Sequence, residues 1–280
     1  MTHITPITKF DGWSVKREDL ACWTSLEYPS GSKVRQYSEM AAKTAKIPHL
    51  SLPEYAPCIV GCSANSCMQV YVAATAKILN TKGIIYTAAR KVRSDATLYA
   101  ESMGAEIVEV KPGYLSVIKQ RAHQRASELG QVVQWNPNLA IQDVIQQCQN
   151  IPPDTKRIIV PSGSGLVAAG VLAGCARYGL KNTVVVVATS TMLDFQKVLL
   201  RAGRASDGYT LPCSVFTPAT SSYNDYAIQT LPDGTPLDPF YSAKSIHMLM
   251  TGDLLWPPGL RPVCSMPKDC QEKFKYWRGP

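Results

Sequence analysis

Short apolar runs alternate with longer stretches of helical spacing from Cys58 to Ala188, and this alternation constrains the fold more than any other feature of the sequence. The runs 58–61, 83–86, 106–110, 132–134, 157–161 and 183–188 read as strands. Residues 33–46, 68–79, 94–103 and 115–129, with an alanine-rich stretch ending at Tyr178, carry apolar residues at helical spacing. Gly104 and Gly130 stop two of these helices, and Pro48 follows the first. Parallel neighbours cannot be joined by a tight hairpin and need a crossover about as long as a helix, which these stretches supply. The β-branched run 183–188 suits a strand covered on both faces. The chain therefore reads as α/β, with parallel sheets built from βαβ units. A short extended piece is expected at 13–16 and a helix-like stretch at 242–250. From Asp207 the pattern weakens, and the last 25 residues read as an irregular tail lying on the surface.

A length of 280 residues allows one large α/β unit or two modest domains sharing a cleft. No apolar run approaches the roughly 20 residues needed to span a bilayer. Met1-Thr2-His3-Ile4-Thr5-Pro6 lacks the charged start and apolar stretch of a signal peptide, so a soluble, cytoplasmic protein is expected. The nine cysteines are scattered, with no Cys-x-x-Cys pair and no histidine at zinc-site spacing. Cys58, Cys62 and Cys67 form the one cluster, and reduced core or cleft thiols are expected there, with no metal site. The net charge of +8 favours anionic partners such as phosphorylated ligands or nucleic acid.

Four segments carry chemistry. Ser162-Gly163-Ser164-Gly165 joins a strand to a helix; such a turn presents successive N–H groups to a phosphate, and it also serves as a plain tight connection. Gly31-Ser32-Lys33 opens a helix after Lys16-Arg17-Glu18-Asp19-Leu20. A lysine at a helix start sits at the wrong end of the dipole, and burial among positive groups would make its neutral amine a nucleophile. Ser63-Ala64-Asn65-Ser66 follows the strand ending at Gly61, at the strand end where α/β sheets bind ligands; Asn65 or Ser66 also suits a cap for the next helix. The fourth segment runs from Asp233 to Lys244, Asp-Gly-Thr-Pro-Leu-Asp-Pro-Phe-Tyr-Ser-Ala-Lys, and alone is a turn-rich loop.

Taken in this order, the four segments resemble the fold type II pyridoxal-phosphate enzymes, the tryptophan synthase β superfamily, in its 1-aminocyclopropane-1-carboxylate deaminase and D-cysteine desulfhydrase branch. The resemblance touches most of residues 10–250. It implies two open, twisted, mostly parallel sheets flanked by helices. Residues 1–46 with 151–280 would form a larger cofactor-binding domain and 47–150 a smaller one, with the active site between them. It also implies pyridoxal 5'-phosphate held by Lys33 as a Schiff base, with Lys33 then removing the substrate's α-proton. Asn65 would meet the ring hydroxyl oxygen, and Ser63, Ala64 and Ser66 would surround the substrate carboxylate. Ser162, Gly163, Ser164, Gly165 and Leu166 would hold the phosphate. Asp233 would face the pyridine nitrogen and keep it protonated.

The sequence departs from that pattern in three places. Leu166-Val167 follow the phosphate turn where the family has Gly-Thr, Ala64 and Cys67 stand in the asparagine loop, and the chain is expected to be trimmed between Thr189 and Asp233 and at its C-terminus. The resemblance implies a deaminase, lyase or isomerase acting on an amino-acid-type amine, as a homodimer. An alternative is a phage-type relative, in the host cytoplasm, that rearranges or decarboxylates an amino-acid adduct of thymine in DNA. Arg90-Lys91-Val92-Arg93, Arg201 with Arg204, and Lys268, Lys273, Lys275 and Arg278 are candidate phosphate contacts, with Tyr276 and Trp277 placed to stack on bases. Ordinary solvated surface charge is the competing reading of these cations. A cofactor-binding or regulatory protein without turnover is a third.

Overall fold

The computed structural model describes residues 4–21, 30–45, 57–130, 132–189, 191, 193–219, 222, 225–259 and 268–274, without the side chains of 41–45, 270, 273 and 274. Two sheets organise them. In chain order the strands are β1 (Ile7–Lys9), β2 (Ser14–Lys16), β3 (Cys58–Gly61), β4 (Gly83–Ala88), β5 (Glu106–Val110), β6 (Val133–Gln134), β7 (Arg157–Ser162), β8 (Thr183–Ala188), β9 (Ser214–Thr217) and β10 (Asp253–Leu255). The larger sheet has the order β1-β2-β10-β7-β8-β9 and the smaller β5-β4-β3-β6. Every pairing is parallel except β1 with β2.

The helices are α1 (Ser32–Ala45), α2 (Met68–Ile78), α3 (Asp95–Ser102), α4 (Leu115–Leu129), α5 (Pro137–Gln147), α6 (Leu166–Arg177), α7 (Phe195–Ala205) and α8 (Lys268–Phe274). The expected helix-like stretch at 242–250 is a 3-10 helix, Ser242–Met248. Within the tail expected to be irregular, α8 is helical. From α8, Gln271 donates to Asp95 at 3.3 Å, and Asp269 accepts from the Tyr226 hydroxyl at 2.6 Å.

The apolar runs bury as a parallel sheet requires. Ile158, Val160, Val184 and Val186 of the larger sheet pack against Ile141, Val144 and Ile145 of α5 and Ala168, Val171 and Leu172 of α6. Thus α5 joins the larger sheet, although it lies in the 47–150 stretch of the chain. The smaller sheet has its own cluster, in which Cys58, Val60 and Ile85 meet Val72, Ala73 and Ala76 of α2. Helix α1 stands between these cores: Val34, Tyr37 and Met40 join the smaller sheet's cluster, while Arg35 and Gln36 bond Asp143 of α5.

Two consequences of topology position the site. The carboxyl ends of β7 and β3 run into the Ser162–Gly165 turn and the Ser63–Ser66 loop. Strand β10, late in the sequence, inserts between β2 and β7 and brings Pro258-Gly259 beside the start of α1.

Candidate active site

Lys16-Arg17-Glu18-Asp19 is a run of four consecutive charges, and all four are buried. Each is partnered, as burial demands. The Lys16 ammonium donates to Thr5 O at 2.9 Å, Gln147 O at 2.9 Å and Asn150 Oδ1 at 2.6 Å, which uses all three of its protons. Arg17 forks onto Asp19 and reaches Asp233 Oδ2 at 2.8 Å. Glu18 faces Arg35 at 2.8 Å, an ion pair off hydrogen-bond alignment. Burial by itself would lower the Arg35 pKa, but Glu18 and Asp143 reverse this and raise it. The charged run is thus a buried frame under the first turn of α1.

Lys33 is the second residue of α1 and lines a cleft enclosing about 670 Å³, counting the part open to solvent. The start of α1 is clamped by backbone. Gly31 N donates to Ala21 O at 2.7 Å, the Ser32 hydroxyl to Pro258 O at 2.8 Å, and the Tyr71 hydroxyl to Ser30 O at 2.7 Å. Gly31 and Gly259, both at positive φ, face each other so closely that a Cβ on Gly259 would lie 2.5 Å from Gly31 Cα. The Lys33 ammonium lies over the Tyr71 ring, 5.8 Å from its centroid.

Ser162, Gly163, Ser164, Gly165 and Leu166 line the same cleft as Lys33. The carbonyls of this turn are tied from behind: Ser162 O accepts from Thr189 N at 3.0 Å, and Ser164 O from Arg201 NH1 at 2.8 Å. In a planar trans peptide the next N–H points opposite to its carbonyl, so those of Gly163 and Gly165 face the other way. With α6 starting at Leu166, the turn is a helix N-terminus with amides turned outward, an arrangement that suits a phosphate. The Tyr241 ring packs on Gly163, where a Cβ would come within 2.8 Å of Tyr241 Cε1.

The Ser63–Ser66 loop is built on the same plan. The buried Gln69 carboxamide donates to Ser63 O at 3.3 Å and Ala64 O at 2.7 Å, and its oxygen accepts from the Thr97 hydroxyl at 2.9 Å. Ser94, which caps α3, also donates to Ala64 O. The N–H groups of Ala64 and Asn65 therefore point away from Gln69. Ser66 lines the cleft, and its hydroxyl accepts from Met68 N at 3.2 Å, so it serves the start of α2 as well. Ser63 is exposed, and Asn65 is half-buried with its oxygen on Arg90.

Asp233 stands apart from the cleft wall and holds Arg17. Partial burial pushes its carboxyl up, but Thr235 and Arg17 outweigh this and keep it below the usual range. From the same segment Asp238 and Tyr241 do line the cleft, and Asp238 Oδ1 accepts from the backbone N–H groups of Phe240 and Tyr241 at 2.8 and 3.1 Å. Tyr71 and Pro258-Gly259 are wall residues that the motifs did not single out, and Cys67, expected as a core or cleft thiol, lines the cleft too. Tyr71 sits inside an alanine-rich helix, and nothing local in the sequence separates it from core. Cys58 and Cys62 are buried, with thiol pKa values pushed up to about 12 by that burial.

Among the candidate cations, Arg93 is tied to Glu101 and Glu109, at 2.8 and 3.0 Å. Arg90 and Arg201 instead touch the two loops at the cleft. Lys275, Tyr276, Trp277 and Arg278 lie outside the described residues, as does the side chain of Lys273.

With this geometry in hand, solved structures provide the comparison. An ACC deaminase homologue superposes with a TM-score of 0.70 at 16% identity, covering 91% of this chain and 89% of that one. The fold is that of the fold type II pyridoxal-phosphate enzymes. Diaminopropionate ammonia lyase from Escherichia coli matches at a TM-score of 0.62 and 14% identity, covering 99% and 90%. Threonine deaminase isoform 2 from Solanum lycopersicum matches at 0.57 and 14%, covering 94% and 77%. No protein-family model matches the sequence, and no curated protein does. Among the described residues no helix is long and apolar enough to cross a membrane.

Proposed function

We propose that the chain binds pyridoxal 5'-phosphate through Lys33 and labilises a bond at the α-carbon of an amino-acid-type amine, as a deaminase, lyase or isomerase. The observation that carries this reading is that Lys33 and the Ser162–Leu166 turn, distant in sequence, line one cleft. The residues fit the cofactor. The Lys33 amine shares the cleft with a glycine-rich turn at the start of α6, and the Tyr241 ring packs on Gly163 so tightly that a Cβ there would collide.

When bound, the cofactor supplies an electron sink for charge developing at the substrate's α-carbon. The chain's own groups orient and transfer protons. Lys33 is the base at the α-carbon, Asn65 donates to the ring oxygen, and the loop of Ser63, Ala64 and Ser66 receives the substrate carboxylate. Asp233, held as a carboxylate by Arg17, is the acceptor that keeps the pyridine nitrogen protonated. Neighbours of the fold support amino-acid chemistry: their names include deaminases and an ammonia lyase, and one was determined with an aminoacrylate intermediate on its cofactor. A homodimer is part of this reading, as is a cytoplasmic setting.

A second reading keeps the site and changes the substrate to an amino-acid adduct of thymine in DNA. Exposed Arg90 and half-buried Arg201 favour it, because each touches one of the two loops at the cleft and the chain carries a net charge of +8. The deciding experiment is an absorbance spectrum, followed by borohydride reduction and mapping of the labelled peptide. A yellow protein whose label falls on Lys33 supports both readings, and a colourless one defeats both. Titration then separates them, since a free amino acid shifts the band under the first reading and only aminoacylated thymine in duplex DNA does so under the second. Sedimentation at equilibrium checks the dimer.

A further inference from the structure

Asn65 Oδ1 accepts a hydrogen bond from Arg90 NH1 at 3.1 Å. A guanidinium has donors only, so the carboxamide end that meets it is the oxygen. The amide nitrogen is then turned to the other side of the planar group. Arg90 lies just beyond the carboxyl end of β4, beside β3, whose carboxyl end leads into the Asn65 loop. Ser94, farther along the same connection, donates to Ala64 O, so the segment is fastened to that loop at two points. Unlike Arg93, whose charge is met by two glutamates, Arg90 has no carboxylate partner among the described residues.

This inference rests on the cofactor reading above. We infer that Arg90 is a positioning residue that turns the amide nitrogen of Asn65 toward the cofactor's ring oxygen and sets a positive charge beside it. A rotatable carboxamide offers its acceptor and donor ends with similar ease, and an acceptor facing the ring oxygen would repel it. Arg90 removes that choice. The charge and the oriented donor act in the same direction, because both stabilise the ionised ring oxygen and so disfavour protonation of the chromophore that Lys33 forms.

The test titrates the visible band of the holoenzyme with pH in wild type, Arg90→Met and Arg90→Lys. Arg90→Met raises the pH midpoint of the band by roughly 0.5–1 unit, and the cofactor dissociation constant rises several-fold. Arg90→Lys, which keeps the charge, moves the midpoint less than half as far. Arg90 is exposed, so thermal midpoints stay near wild type, which separates the effect from a folding defect. A Met variant that titrates with wild type overturns the role of Arg90 and leaves the cofactor reading intact. A wild-type protein without a visible band overturns the cofactor reading and this inference with it.

Discussion

Arg35 meets Asp143 in a two-point ion pair, Nε to Oδ1 at 3.0 Å and NH2 to Oδ2 at 3.1 Å, and this pair joins the helix of Lys33 to α5 of the larger sheet. Gln36 adds a third bond, to Asp143 Oδ2 at 3.1 Å. Both side chains of the pair are almost fully buried, so removing one strands the other. Arg35→Met should therefore cost about 3–5 kcal/mol of folding stability, the range for breaking a buried pair from one side. Urea denaturation measures it. A change below about 1 kcal/mol would show that water reaches Asp143 and Glu18 once the guanidinium is gone. Because the pair locates the first turns of α1, cofactor affinity should fall alongside stability.

Lys16 gives the fold a pH dependence with a defined sign. Burial lowers its pKa from 10.5 to about 8, with Glu18 the largest opposing influence. The folded value lies below the unfolded one, so between about 8 and 10.5 the unfolded chain holds more protons than the folded chain. Stability from this group therefore rises with pH across that window, and the penalty is present in full below it. The gain is at most about 3 kcal/mol. Denaturation at about pH 7 and about pH 10 should show this gain in wild type and lose it in Lys16→Met. Equal pH slopes in the two proteins would exclude Lys16 as the source.

The same residues show what was legible in the sequence. Strands β3–β8 and the helices α1–α4 and α6 follow from periodicity, because burying one face of an element leaves a spacing that can be read. Strand β2 was expected as a short extended piece, whereas β1, β9 and α7 were not read. Helix α5 was legible but passed over: Asn136 before Pro137 is a cap with proline in the first turn, and Ile141, Val144 and Ile145 keep helical spacing. Strand β10 was not legible, since three residues just ahead of Pro257-Pro258 carry no period, and its central place is a matter of topology. At the site, the phosphate turn, the asparagine loop and Lys33 were located as local motifs. Tyr71, Gln69 and Gly259 could not be, because their roles come from residues distant in the chain. The charges 16–19 would pass for a solvated surface run, and only their partners explain their burial.

Gly259 illustrates such a distant role. It adopts φ of +121°, and a side chain there would come within 2.5 Å of the Gly31 Cα, which is backbone and cannot swing aside. Gly259→Ala thus combines an unfavourable φ with a collision at the start of the Lys33 helix. A stability loss on the order of 1–3 kcal/mol is expected, with a larger proportional loss of cofactor affinity, because the displaced segment carries Lys33. Differential scanning fluorimetry with and without added cofactor checks both. An alanine variant with wild-type affinity would show that the 258–259 segment does not set the position of Lys33.

Gln69 separates the support of the asparagine loop from its chemistry. Its carboxamide is fully buried, with the nitrogen on two loop carbonyls and the oxygen on Thr97. Gln69→Leu keeps the approximate volume but leaves Thr97 and the carbonyls without that partner, for a cost of about 1–3 kcal/mol. Gln69→Glu is more informative, because an ionised carboxylate cannot donate to Ser63 O or Ala64 O and would repel both. Protonation restores one donor, so the variant's stability should recover as pH falls through the elevated pKa of a buried carboxyl, whereas that of Gln69→Leu should not. If the loop carbonyls must be held back for the Ala64 and Asn65 N–H groups to reach a substrate carboxylate, both variants raise KM more than they lower kcat. A fall in kcat with KM unchanged would mean instead that the loop acts on the cofactor ring alone.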